Sequence, residues 1–150
     1  MANQVVANLI AGGQRMGKEI KTSGATIQPG KLIKLDSSGS TASLATVSTV
    51  SGIAYGHRYS IYRPTSVVFA DAEPLTMVWG EGEMLLSSDF FVGGSLPAIA
   101  DKLYAQASGL WGMQGSTKVG DCLGLRPYTD PQGGTGLTVS LAHVRFSIQP

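Results

Sequence analysis

Asp101-Lys-Leu-Tyr-Ala-Gln-Ala-Ser-Gly-Leu-Trp111, with Lys118-Val-Gly-Asp-Cys-Leu-Gly-Leu125, reads as strand, turn, strand, then a second turn into an apolar strand flanked by glycines. A weaker copy lies upstream in Lys31-Leu-Ile-Lys-Leu-Asp-Ser-Ser-Gly39 and closes with Gly52-Ile-Ala-Tyr-Gly56. Both copies carry Lys-Leu before Ile33 or Tyr104, then Ser-Gly at a turn, then a short strand ending in glycine. Such a unit builds sheet and presents no reactive group. It predicts an all-β protein, a small β-barrel or jelly-roll sandwich.

Composition agrees. The chain has 150 residues, enough for one domain with a core that needs no metal or disulfide. Charged residues make up 14%, against about 25% in an average domain, and there are 20 glycines. Few charges, many Gly and Ser/Thr turns and β-branched runs point to strands. Low charge also points to a surface that meets other protein.

Cys122 is the single cysteine, so no intramolecular disulfide forms, and its apolar strand predicts a buried structural thiol. Met1 to Ile10 lacks a basic segment followed by a sustained apolar core, and no apolar run approaches the roughly 20 residues of a membrane helix. A protein made and used without crossing a membrane is expected.

The net charge is +1, unevenly distributed. Arg15, Lys18, Lys21, Lys31 and Lys34 against Glu19 leave residues 1–34 at +4, whereas residues 71–130 sum to −5. Opposite-sign segments can steer self-association. Residues 1–24 read as an extended N-terminal arm ahead of a single β domain over 25–150. Gly12, Gly13, Gly17 and Gly24 oppose a helix there, each by about 1 kcal/mol relative to Ala. An ordinary first strand is the other reading of the same segment.

Farther along, Gln28-Pro29-Gly30 has the proline and glycine of a type II turn. Thr41 to Ile53 reads as one long strand or two short ones, Ser66 to Ala70 as a strand, and Leu75 to Leu86 as the longest apolar strand. Gly80 and Gly82 predict a bulge or bend in that last strand. A short helical turn is expected at Ser88–Phe91, and a long flexible loop over Tyr128–Gly136. In Leu137–Ile148 the apolar parity switches at Ala142-His143, which predicts a bulge near Ala142.

Catalytic patterns are weak. Glu81 and Glu83 share a strand face, as a glycosidase pair would, but adjacent glutamates more often mark a solvated edge. His57 and His143 have no further ligands at metal-binding spacing. Gly12 to Lys18 imitates a phosphate loop, yet Glu19 stands where Ser or Thr must hold magnesium. No enzyme activity, cofactor or metal is expected. Tyr55-Gly-His-Arg-Tyr-Ser-Ile-Tyr-Arg63 mixes aromatic and basic residues densely. In a near-neutral chain this fits a protein contact better than nucleic acid. Arg58, Tyr59, Tyr62 and Arg63, with Arg15, Lys18 and Lys21 of the basic segment, are the candidate partner-binding residues.

Pro29-Gly-Lys-Leu-Ile with its Ser-Gly turn, and Ala100-Asp-Lys-Leu-Tyr through Val119-Gly-Asp-Cys-Leu-Gly124, resemble the repeated pattern of tailed-phage capsid decoration (cement) proteins. The likeness covers roughly residues 26–56 and 80–125, and departs where Pro29-Gly30 and Ala100-Asp101 replace the usual Gly-Asp. It implies a non-catalytic virion protein made in the host cytoplasm and carried on the outer capsid surface. Its partners would be the major capsid protein and copies of itself, a homo-oligomer with a trimer favoured over a dimer, and neither membrane nor nucleic acid. The rivals are a minor tail or head–tail component and a carbohydrate-binding or host-surface β module. For the latter, Trp79, Trp111 and Tyr104 would form a sugar platform.

Overall fold

The computed structural model describes residues 5–15, 20–23, 27–55, 61–63, 69, 72–129 and 138–150. These form eleven strands: β1 (Val5–Arg15), β2 (Ile20–Thr22), β3 (Leu32–Leu35), β4 (Thr41–Leu44), β5 (Gly52–Tyr55), β6 (Ile61–Arg63), β7 (Pro74–Leu86), β8 (Lys102–Ala105), β9 (Trp111–Gly112), β10 (Lys118–Thr129) and β11 (Thr138–Ile148). The expected helical turn is a 3-10 segment over Ser88–Phe90. The all-β expectation holds.

Strands β2, β4, β3, β5 and β7 close into a five-stranded barrel, because β2 pairs with both β4 and the start of β7. Ile20, Ile27, Ile33, Ala42, Ala54, Phe69, Leu75 and Met77 fill it. Beyond the barrel the sheet continues through β11, β10, β8 and β9. β7 belongs to both parts. Its odd positions Leu75 and Met77 point into the barrel, while Val78, Met84 and Leu86 join a second core on the other face. Burial on both faces explains why this strand is the most apolar run of the chain. Each large side chain so buried contributes roughly 1.5–3 kcal/mol.

Gly80 and Gly82 do mark a bulge. Between Gly12↔Gly82 and Gln14↔Trp79, β7 carries two residues against one on β1, and Gly80 sits at φ +80°. At Gly82 a Cβ would stand 2.5 Å from the Phe146 ring and 2.7 Å from Ala11 O, so only glycine lets the strands close there.

Residues 1–24 are not set apart where they are described. β1 pairs with β7 from Ala7 to Arg15, and Ile20 of β2 is fully buried in the barrel. The strand reading of this segment matches those contacts better than an arm, because Ala7 and Leu9 reach the second core. The parity switch in β11 also has a different cause. β11 pairs with β7 without a break from Ala142↔Leu86 to Ile148↔Gly80. Ala142, Val144, Phe146 and Ile148 face the second core, while Leu141 and Val139 pack with Leu85 on the opposite face. The extra residue sits on β10, between Cys122↔Val144 and Gly124↔His143. Thr41 to Ile53 resolves into two short strands, β4 and the start of β5. Of the strand expected at Ser66–Ala70 only Phe69 is described, and of the loop expected at Tyr128–Gly136 only Tyr128 and Thr129, which belong to β10; the rest of both lies outside the described residues.

The two sequence copies fold alike. Lys31 N donates to Gln28 O at 3.1 Å and Asp101 N to Ala98 O at 3.1 Å, closing one turn in each copy. Gly30 (φ +102°) and Ala100 (φ +73°) hold the left-handed corner. Gly30 N bonds to Ala54 O at 2.8 Å and Ala54 N to Lys31 O at 2.9 Å. In the second copy Ala100 N bonds to Cys122 O and Cys122 N to Asp101 O, both at 2.8 Å. Ile33↔Gly52 repeats as Leu103↔Gly120, and Leu35↔Ala42 as Ala105↔Trp111. Lys31 is thus the counterpart of Asp101, one residue out of step with the Lys-Leu match in sequence. The inner face of the first copy lines the barrel. That of the second, with Leu103, Trp111 and Val144, packs onto the outer face of the first at Leu32, Ile53 and Val78.

Candidate interaction surface

The outer face of the second copy is open to solvent and charged. Register places Glu83 (β7) beside Arg145 (β11), Arg145 beside Asp121 (β10), and Asp121 beside Lys102 (β8). The signs alternate along this row, so cross-strand neighbours attract. Glu83 Oε1 also lies 2.7 Å from His143 Nε2. Lys118 Nζ reaches Asp121 Oδ1 at 3.1 Å although the two are three apart in a strand; the irregularity between Lys118 and Gly120 turns them to one face. Glu81 and Glu83 do share that face as the alternation predicts, but Glu83 is engaged by histidine. Ser147 and His143 stand four apart on β11, roughly 13 Å along a strand, too far for a nucleophile and its base.

Beside this row lies a cleft of about 360 Å³ between the β4–β5 loop, the start of β10 and the end of β11. Ser48, Thr49, Thr117, Lys118, Ser147 and Gln149 make it hydroxyl-rich. Among the described residues no group of three or more His, Cys, Asp or Glu is arranged to hold a metal ion. No described helix is long and apolar enough to cross a membrane.

The third feature is the turn Ala98–Asp101. Ile99 is 72% exposed at its tip. Asp101 Oδ2 accepts from Ala98 N at 2.8 Å, and the backbone bonds to Cys122 pin the turn to β10. Leu125, 51% exposed, follows Gly124, where an added Cβ would stand 4.0 Å from Ile99 Cδ1. Cys122 beneath is buried, and burial pushes its thiol up from the usual range. It is a structural thiol, as its strand predicts.

The sequence-derived candidates do not gather into one patch. Arg15 is exposed at the end of β1 opposite Val78, and Lys21 is exposed on β2. Tyr62 and Arg63 lie on β6, opposite Val6 and Val5 at the other end of β1. Arg15 and Arg63 are therefore roughly 30 Å apart along that strand, at about 3.3 Å per residue. Lys18, Arg58 and Tyr59 lie outside the described residues. Tyr55, from the same aromatic-basic run, is core: it is buried, and its hydroxyl accepts from Leu9 N at 3.4 Å.

The three-aromatic sugar platform is not assembled. Trp111 is fully buried and its Nε1 donates to Gly30 O at 3.0 Å, while Trp79 packs against the barrel core. Exposed Ile99 and Leu125 escaped the sequence reading, because an apolar residue in a turn looks the same whether or not something covers it. Comparison with protein-family models, with curated proteins and with solved structures returns no match.

Proposed function

We propose that this chain is a structural decoration protein of a tailed-phage capsid, without catalytic activity. It sits on the outer capsid surface and bridges major capsid protein subunits as a symmetric homo-oligomer, for which the resemblance favours a trimer. The observation that carries the reading is the repeat itself. The two stretches that resemble the cement pattern form equivalent turn-and-strand units with the same backbone hydrogen bonds. They stack into one doubly layered body whose exposed features are a rigid apolar turn and a charge-balanced sheet face. A pinned surface of this kind loses little conformational entropy on binding.

Sedimentation with capsids that lack this protein tests the reading. Saturable co-sedimentation at a stoichiometry set by capsid symmetry is expected. Failure to bind expanded capsids would sink it, and hydrolysis of glycans by the purified chain, abolished by Glu83→Gln, would replace it with an enzyme.

A further inference from the structure

The cleft beside the charged face arises from a fork in the sheet. The β10–β11 ladder runs as far as Gly120↔Phe146. Beyond that pair Lys118 turns to Tyr104 of β8 and Ile148 to Gly80 of β7, so each strand follows its outer neighbour and a gap opens between them. The β4–β5 loop forms the third wall, and hydrogen bonds brace it. Thr46 N donates to Thr49 O and Thr49 N to Thr46 Oγ1, both at 3.1 Å, and Ser116 Oγ donates to Val47 O at 3.4 Å. Thr46 and Ser116 use their hydroxyls to hold that wall, while Ser48, Thr49, Thr117 and Ser147 bring theirs to the rim.

We infer that this cleft binds an acidic monosaccharide, a pyranose carrying one carboxylate. Each part of such a molecule meets its match. The apolar side of the cleft is Val50 and Ile148, which pack with the shared core and offer a surface to the C–H face of a sugar ring. The rim hydroxyls and the Gln149 amide both donate and accept, as sugar hydroxyls require. Lys118 supplies the only charge on the walls, and no acidic residue lines them. Asp121 Oδ1, outside the lining and 3.1 Å from Lys118 Nζ, steadies the ammonium and leaves two of its three donors for a carboxylate. One cation balanced in this way suits a singly charged carboxylate better than a phosphate dianion. A volume of about 360 Å³ lies near the lower end for ligand sites, enough for one ring. Nothing in this fit depends on the decoration reading.

Titration of sodium glucuronate into the full isotope-labelled chain, followed by NMR, tests this. Saturable amide shifts are expected at Ser48, Thr49, Lys118 and Gln149, and their absence overturns the site. Lys118→Gln lowers the affinity by about tenfold or more, as loss of a charge-assisted hydrogen bond does. Arg126→Gln removes an equal charge from an exposed position roughly 25 Å along the same strand and leaves the affinity unaltered. Equal weakening by both variants would trace the effect to net charge and overturn the site. Glucose and acetate separate the two halves of the ligand, and each is expected to bind about tenfold more weakly than glucuronate, or worse. Glucose binding as tightly removes the carboxylate from the assignment, acetate as tightly removes the ring, and either result overturns it. Methyl glucuronide with undiminished affinity marks a reader of glycan ends, and its exclusion marks a site for the free sugar acid; both uphold the acidic ring.

Discussion

Trp111 Nε1 donates a buried hydrogen bond of 3.0 Å to the Gly30 carbonyl, joining residues 81 apart in sequence. It ties the turn of the first copy to the shortest strand of the second, at the centre of the core shared by both. Trp111→Phe leaves that carbonyl unpaired in an apolar setting and opens a small cavity. A loss of about 2–4 kcal/mol is expected from the two effects together. The midpoint of urea unfolding reads it, and a loss under 1 kcal/mol would show the bond to be dispensable.

Ala100 holds φ +73°, a region that costs a residue with a Cβ about 1–2 kcal/mol. Ala100→Gly removes that strain and adds unfolded-state entropy of about 0.4–1 kcal/mol. A net gain of about 0.5–1 kcal/mol, seen as a raised Tm, is the expected outcome. The same exchange reversed at Gly30, to Ala, drives a methyl into Phe90 and Ala7 and is strongly destabilising.

Deleting residues 2–20 removes β1 and Ile20 together, and with them one neighbour of β7 and a fully buried side chain of the barrel core. The product is expected to lose cooperative unfolding. A folded, monodisperse product by circular dichroism and gel filtration would restore the separable-arm reading.

Glu83→Ala strips His143, only 13% exposed, of its acceptor. A cost of about 1 kcal/mol is expected, against under 0.5 for Glu81→Ala on the exposed face. Equal effects would show that the 2.7 Å contact contributes nothing.

The Asp36 carboxylate lies below its usual range, chiefly through the Ser38 hydroxyl at 2.8 Å and then through backbone N–H groups of the turn. A depressed carboxyl stabilises the fold above its unfolded value, and that contribution is lost as pH falls through the folded one. The stability gap between wild type and Asp36→Ala is therefore constant near neutrality and closes below about pH 4. A gap that widens on acidification would reverse the sign. Because the side chain is fully solvated, the effect is small.

Local chemistry determined much of this protein from sequence alone. Pro29-Gly30 specified its turn, the paired glycines of residues 80–82 their bulge, and alternation the strand faces, because each depends on a few neighbouring dihedrals and side-chain directions. The repeat was legible too, though one residue out of register, since Lys-Leu matched by identity while hydrogen bonding matched Lys31 to Asp101. What covers each face was decided only by tertiary structure. The apolar parities of β11 look like a slipped strand, yet both faces are used, one by the shared core and one by Leu85. Trp111 looks like a surface aromatic and is the largest of the fully buried side chains; Ile99 looks like a turn residue of no consequence and stands bare. Alternation says which residues share a face. Only the packing of one unit on another says which faces lose their water, and the large free energies follow from that.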